Sequence, residues 1–136
     1  MSEHAPGVDA ELVRSRIARV AHTADSATDL EDNLDCYTDD AVWEMGDIRV
    51  VGRAELRAAA QARRDAGRAG PGTRSRHNLT PTAVAVDADR AVAESYLMFY
   101  VDTETTPRLD SMGAYRDTVV RTAGGWKVAH REITAG

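Results

Sequence analysis

From residue 75 onward the chain is almost entirely strand, and this half constrains the fold most. Residues 75–87, 90–101, 109–122 and 126–134 are rich in β-branched and aromatic side chains. They are separated by Asp87-Ala88-Asp89, a polar loop over 102–108, and Ala123-Gly124-Gly125. Runs of this kind joined by short turns pair as antiparallel neighbours. Pro81 interrupts the first of them and predicts a bulge or an edge position there, because proline cannot donate to a ladder. Such a sheet has an apolar face that something must cover.

The cover comes from the first half. Residues 1–8 read as a loose tail, and 9–136 as a single domain. Asp9 is placed to cap a helix over 10–27. Its apolar row runs Val13, Ile17, Ala21 at i+4 spacing, flanked by Leu12 and Val20. One more step along that row reaches Asp25, a carboxylate at the end of a buried stripe. Ser26 to Thr28 breaks the pattern. Asp29 then caps a short helix over 30–37, and short strands follow at 41–45 and 48–51. Gly52 opens an alanine-rich helix over 53–68, and Gly67, Gly70, Pro71 and Gly72 mark a loop. Helices first and a meander afterwards predict an α+β fold, with helices on one face of a curved sheet.

Bulk properties exclude several function classes. A chain of 136 residues can bury one core without staples. Net charge is −5, with scattered arginines and Lys127 as the only lysine, so a nucleic-acid surface is not expected. Cys36 is the only cysteine, which rules out a disulfide within the chain and suits a reducing cytoplasm. It reads as a small buried hydrophobe. Residues 1–9 are polar, without an apolar signal core, and no apolar run reaches membrane-spanning length. A cytoplasmic protein without a membrane partner is expected. Gly70-Pro71-Gly72 lacks the lysine and spacing of a phosphate loop, and no Gly-x-Ser-x-Gly elbow is present. No two histidines have helical metal-ligand spacing, so neither a metal nor another cofactor is expected.

Several short motifs follow one another along the chain. They are Cys36-Tyr37-Thr38-Asp39-Asp40-Ala41-Val42-Trp43, Gly52-Arg53-Ala54-Glu55-Leu56, and Arg76-His77-Asn78. Further on come Asp89-Arg90-Ala91-Val92-Ala93, Gly113-Ala114-Tyr115-Arg116-Asp117 and Gly124-Gly125-Trp126-Lys127-Val128. In this order and spacing the chain resembles the SnoaL-like branch of the nuclear transport factor two-like superfamily, over nearly its whole length. The resemblance implies a cone-shaped α+β barrel. A curved mixed or antiparallel sheet would wrap around about three helices and enclose a pocket for a small organic ligand. The group includes scytalone dehydratase, polyketide cyclases, ketosteroid isomerase and limonene epoxide hydrolase, and the fold alone does not choose among them.

In the dehydratases of this group an aspartate late in the first helix works with a histidine at the start of a sheet strand. Asp25 and His77 hold those positions. The tyrosine that the dehydratases place near that aspartate is missing here. The ketosteroid isomerase pattern fits worse, since its general base would fall near Met45 and its oxyanion tyrosine near Ala21.

Read from the residues, Asp25 and His77 have two roles open to them. They form a carboxylate–imidazole pair able to take and give a proton. Alternatively His77 bonds a backbone carbonyl near the rim while Asp25 caps the turn after its helix. Strand parity places Trp43 and Met45 on the cavity wall and Glu44 opposite. Tyr96, Tyr115 and His130 are further candidates to line the pocket, with core packing, solvent or a dimer face as the alternatives. His22, beside the apolar row, reads as a surface residue, and His4 falls in the tail. The expected function is cofactor-free acid/base chemistry on an apolar oxygenated metabolite, by a lyase, isomerase or cyclase. A ligand-binding or accessory subunit and an epoxide hydrolase are the alternatives. A homodimer through the outer face of the long strands is expected.

Overall fold

A computed structural model describes residues 6–136 of the chain. The elements run α1 (Pro6–Ser26), α2 (Leu30–Leu34), β1 (Tyr37–Met45), β2 (Ile48–Val51), α3 (Gly52–Asp65), β3 (Arg76–Asp87), β4 (Arg90–Val101), β5 (Arg108–Thr122) and β6 (Gly125–Ala135). The six strands form one sheet in the order β2-β1-β6-β5-β4-β3. The meander from β3 to β6 is antiparallel throughout, and β1 then joins β6 in parallel. The fold is the expected α+β cone with a mixed sheet, left open at its edge strands β2 and β3.

α1 lies across one face of the sheet. Val13, Ile17 and Val20 pack with Ala91, Ala93, Val119, Trp126 and Val128 in the core cluster. Alanines at the two β4 positions let the helix come close to the sheet, and interior packing fills what larger side chains would occupy. α3 packs on β1 and turns directly out of β2. Gly52 makes that corner with φ +85°, a value that L-residues with side chains avoid. Glu55 closes the helix start by accepting the Val51 amide at 3.0 Å.

Several boundaries move from their sequence-based positions for identifiable reasons. Of the tail expected over residues 1–8, residues 1–5 lie outside the described residues, and Pro6 to Val8 belong to α1. Asp9 therefore lies inside the helix rather than at its N-cap. It is buried three residues into the helix, 3.1 Å from the Arg121 guanidinium, and it accepts from the Trp126 indole at 3.4 Å. α2 stops at Leu34, and β1 begins at Tyr37 rather than Ala41. The polar run Thr38-Asp39-Asp40 hides that strand start from a reading based on apolar alternation. α3 ends at Asp65, and Gly67, at φ +71°, turns the chain out. At Pro81 the expectation holds on both counts. The β3–β4 register breaks between Leu79 and Thr82, and β3 is an edge strand.

The β5–β6 ladder carries a bulge that the sequence does not mark. The β5–β6 register jumps between Thr118 and Val119, which pair with His130 and Val128, so Ala129 is an extra residue. Beyond it every β6 side chain changes face. This shift decides what reaches the concave side.

Candidate functional site

The C-terminal end of α1 is fixed by bonds that converge on its last turn. Asn33 of α2 donates to the Val20 carbonyl at 3.1 Å and to the Thr23 hydroxyl at 3.0 Å. Arg64 of α3 donates to the Ala27 carbonyl at 2.7 Å and the Thr23 carbonyl at 3.2 Å. The Ala27 carbonyl lies just past the helix end, and the Thr23 carbonyl also accepts from the Ala27 amide at 3.1 Å, so these bonds clamp the last turn from outside. Gly70 makes room for the arginine, since a Cβ there would lie 3.0 Å from the Arg64 side chain.

The anchored turn carries Asp25, and β3 brings His77 against it. The His77 Nδ1 lies 2.6 Å from Asp25 Oδ1. The His77 backbone amide donates to the same carboxylate, 2.9 Å from Oδ2. The ring packs on Phe99, its cross-strand partner, with centroids 4.7 Å apart. An ionised carboxylate only accepts, so Nδ1 carries the proton and the neutral ring keeps its lone pair on Nε2. Nε2 has no protein partner among the described residues. The side chains of Asp25 and His77 are 8% and 21% exposed.

The space around the pair is open, unlike the enclosed pocket that the resemblance implies. Asp25 and His77 line an open depression of about 680 Å³ on the seam between α1 and β3, with Arg19, His22, Asn78 and Tyr100. Asp25 also borders a second depression of about 400 Å³ beside Gly70 and Pro71. His22, read as a surface residue, is exposed and borders the first.

A different group occupies the concave face further along the strands. Arg131 binds Asp117 through two bonds, Nε at 2.7 Å and Nη2 at 3.0 Å, with the residues 4% and 0% exposed. The guanidinium lies over the Tyr115 ring, 4.0 Å from its centroid. Burial alone would lower the Arg131 pKa, but Asp117, Tyr37 and Tyr115 hold it above the ordinary arginine value. Burial pushes the Tyr115 phenol up to about 12, against the pull of Arg131. Tyr37 is likewise raised, first by burial. Arg63 of α3 reaches over Trp43, its guanidinium 5.6 Å from the ring centroid. Arg63 as a residue is exposed along the helix, but its charged end is desolvated against that ring, which holds its pKa below the ordinary value.

Tyr115 and Trp43 thus reach the concave face, and Met45 shares their side at the strand end, 38% exposed. Tyr96 and His130 do not reach it. Tyr96 alternates with the inward Ser95 and stands 59% exposed on the outer face. Strict alternation along β6 would give His130 the parity of Trp126 and Val128, and the bulge at Ala129 turns it outward. It lies 3.2 Å from Glu44 Oε2. Arg131 takes the inward place instead. Sequence parity missed Arg131 for the same reason, and Asp117 was visible only as the end of a motif. Among the described residues, Glu44, His130 and Glu132 bring ligand atoms within 4.8 Å of one another, an outer-face arrangement that could hold a cation. Glu44 also pairs with Arg49 there.

The sequence profile of the SnoaL-like domain matches residues 9–132. No curated protein sequence matches significantly. Among solved structures, the chain is similar to an aspartate-to-asparagine variant of Rv3472, a Mycobacterium tuberculosis protein of unknown function. That match has 25% identity over 96% of this chain and 73% of the other, with a TM-score of 0.83. An NTF2-like protein with a cystatin-like fold from Novosphingobium aromaticivorans is 28% identical over 94% and 82% of the chains, with a TM-score of 0.80. A Catenulispora acidiphila protein in complex with S-DNPA is 20% identical over 92% and 91%, with a TM-score of 0.76, and shows the shared fold.

Proposed function

The chain belongs to the SnoaL-like domain family of the nuclear transport factor two-like superfamily, and on that premise we propose a cofactor-free lyase, isomerase or cyclase acting on an apolar oxygenated metabolite. The observation that carries this reading is the Asp25–His77 pair. Asp25 fixes the ring through both Nδ1 and the backbone amide, and Nε2 borders open space. In this reading Nε2 removes a proton next to a substrate carbonyl and returns it elsewhere. Asp25 orients the ring and stabilises the imidazolium that forms. Trp43, Met45, Tyr115 and the half-buried Leu79, Leu97 and Phe99 provide apolar surface on the same side of the sheet.

Removal of an α-proton is common to dehydration, isomerisation and aldol-type cyclisation. Exchange of the α-hydrogens of 2-tetralone in D2O, followed by proton NMR, therefore tests the class without the natural substrate. The folded protein should accelerate exchange, and His77→Ala should lower that acceleration by about 10²–10⁴-fold. Exchange at the uncatalysed rate, or equal rates in both proteins, would refute the reading.

The reading places the chain in the cytoplasm, where a free buried Cys36 is chemically stable. It includes a homodimer through the outer sheet face, where Tyr96, Leu109 and Met112 are exposed. Light scattering at micromolar concentration should give twice the chain mass, and a monomer mass would remove the dimer.

A further inference from the structure

The donors on the concave face outnumber their acceptors. Arg131 uses Nε and Nη2 on Asp117, and Nη1 has no protein partner among the described residues. The hydroxyls of Tyr37 and Tyr115 have none either, although the two residues are only 7% and 6% exposed. Among the described residues only Arg121 Nη2 is fully buried without a hydrogen-bond partner, so each of these atoms keeps some accessible surface. Arg63 pairs with no carboxylate among the described residues and rests on the Trp43 ring. Backbone register puts the wall of this group together. Trp43 pairs with Arg131 and Arg131 with Asp117, while Tyr115 lies one step along on the same face. α3 packs over β1 and brings Arg63 to that wall.

Polar atoms in nearly buried residues that find no protein partner are left for water or a ligand to satisfy. Every member of this set can donate, and the two hydroxyls can also accept. Guanidinium nitrogens only donate. The two phenols are protonated at neutral pH, as any tyrosine is, and burial raises both further. The charge count points the same way. Asp117 neutralises Arg131, and nothing in the group neutralises Arg63. An apolar site with several donors and one uncompensated cation is complementary to an acidic oxygen attached to a hydrophobic body.

We propose that this end of the cone is an oxyanion-binding subsite, in which Arg63, Arg131 Nη1 and the Tyr37 and Tyr115 hydroxyls hold the carboxylate of an apolar ligand. Trp43 forms the flat wall beneath it. This defines the substrate class as an acid rather than a neutral ketone or alcohol. It rests on the concave side being the ligand side, and it does not depend on proton transfer at His77.

Benzoate and benzyl alcohol are matched probes of this site, alike in ring and differing in charge. Their binding is followed by shifts of the Trp43 indole N–H in nitrogen–proton correlation spectra, with Trp126 as the internal reference. Benzoate should bind at least tenfold more tightly than benzyl alcohol. Arg63→Gln should remove most of that preference, and Tyr37→Phe with Tyr115→Phe should reduce it further, with the spectrum otherwise that of a folded protein. Arg131 is left intact, because Asp117 would otherwise be stranded. Equal affinity for the two probes, no binding of benzoate, or a preference that survives all three substitutions would overturn the proposal. The readout is binding, so it stays separate from the 2-tetralone exchange test: either can fail while the other succeeds.

Discussion

Two acid–base pairs stand on the same side of the sheet, and burial sets them apart. Asp25 and His77 meet on the α1–β3 seam, next to open space, through a ring with a free nitrogen. Asp117 and Arg131 meet in the interior, through a bidentate bond between groups that are almost wholly covered. The first contains a group whose proton can move near neutral pH, while arginine stays charged in any ordinary medium. The second is therefore a fixed charge distribution, suited to positioning and to setting the local field. One fold has thus separated a proton-transfer position from an electrostatic one. The separation follows from placement: one pair bridges two elements at an edge strand, and the other spans two central strands.

The sharpest way to break the contrast is to remove half of the interior pair. Arg131→Met leaves Asp117 charged and buried with no cation to answer it. The expected cost is about 3–5 kcal/mol of stability, read from urea unfolding. The double substitution Asp117→Leu with Arg131→Met removes both charges and should recover most of that loss, because no buried charge then remains to be desolvated. A single-variant cost near that of a surface ion pair, at or below about 1 kcal/mol, would mean that the pair is not shielded as described.

Much of this contrast was legible in the sequence, and the illegible part has a physical cause. The i+4 row of α1 reaches Asp25, and motif position gives His77, so both halves of the seam pair were readable. The order of helices and strands, and the break at Pro81, were readable as well. The interior pair was not, because Arg131 looks outward by strict alternation. Only the extra residue at Ala129 turns it inward and sends His130 out. A single inserted residue in a ladder carries no mark in composition or periodicity. Asp9 misled for a related reason. An acid near a helix start signals a cap, and nothing local shows that Arg121 and Trp126, far along the chain, will enclose it.

Alkaline pH sharpens the contrast from the interior side. Tyr115 has a folded-state pKa of about 12, above the ordinary value of 10.0. Above pH 10 the unfolded chain releases this proton while the folded chain keeps it, so the folded state binds more protons and stability falls as pH rises. The loss should be roughly 1 kcal/mol per pH unit between those two values. Tyr37, raised in the same direction, adds to it. Tyr115→Phe should flatten part of the decline in a series of urea melts from about pH 8 to 11. An unchanged slope would show that the phenol is solvated.

The smallest stability effect belongs to the seam. Asp25→Asn keeps the shape of the side chain and removes its charge. The amide oxygen can still accept the His77 backbone N–H, and the amide nitrogen then donates to Nδ1. The hydrogen-bond count barely changes, so the cost in urea unfolding should be about 1 kcal/mol or less, several times below that of Arg131→Met. The chemical consequence is large all the same. With Nδ1 accepting, the ring proton moves to Nε2, and the nitrogen facing the depression loses its lone pair. Nitrogen-15 shifts of the His77 ring should report that tautomer change, and 2-tetralone exchange should fall with it. A stability loss as large as that of the interior pair would recast Asp25 as a structural anchor of α1. An unchanged tautomer would remove the carboxylate from control of the ring.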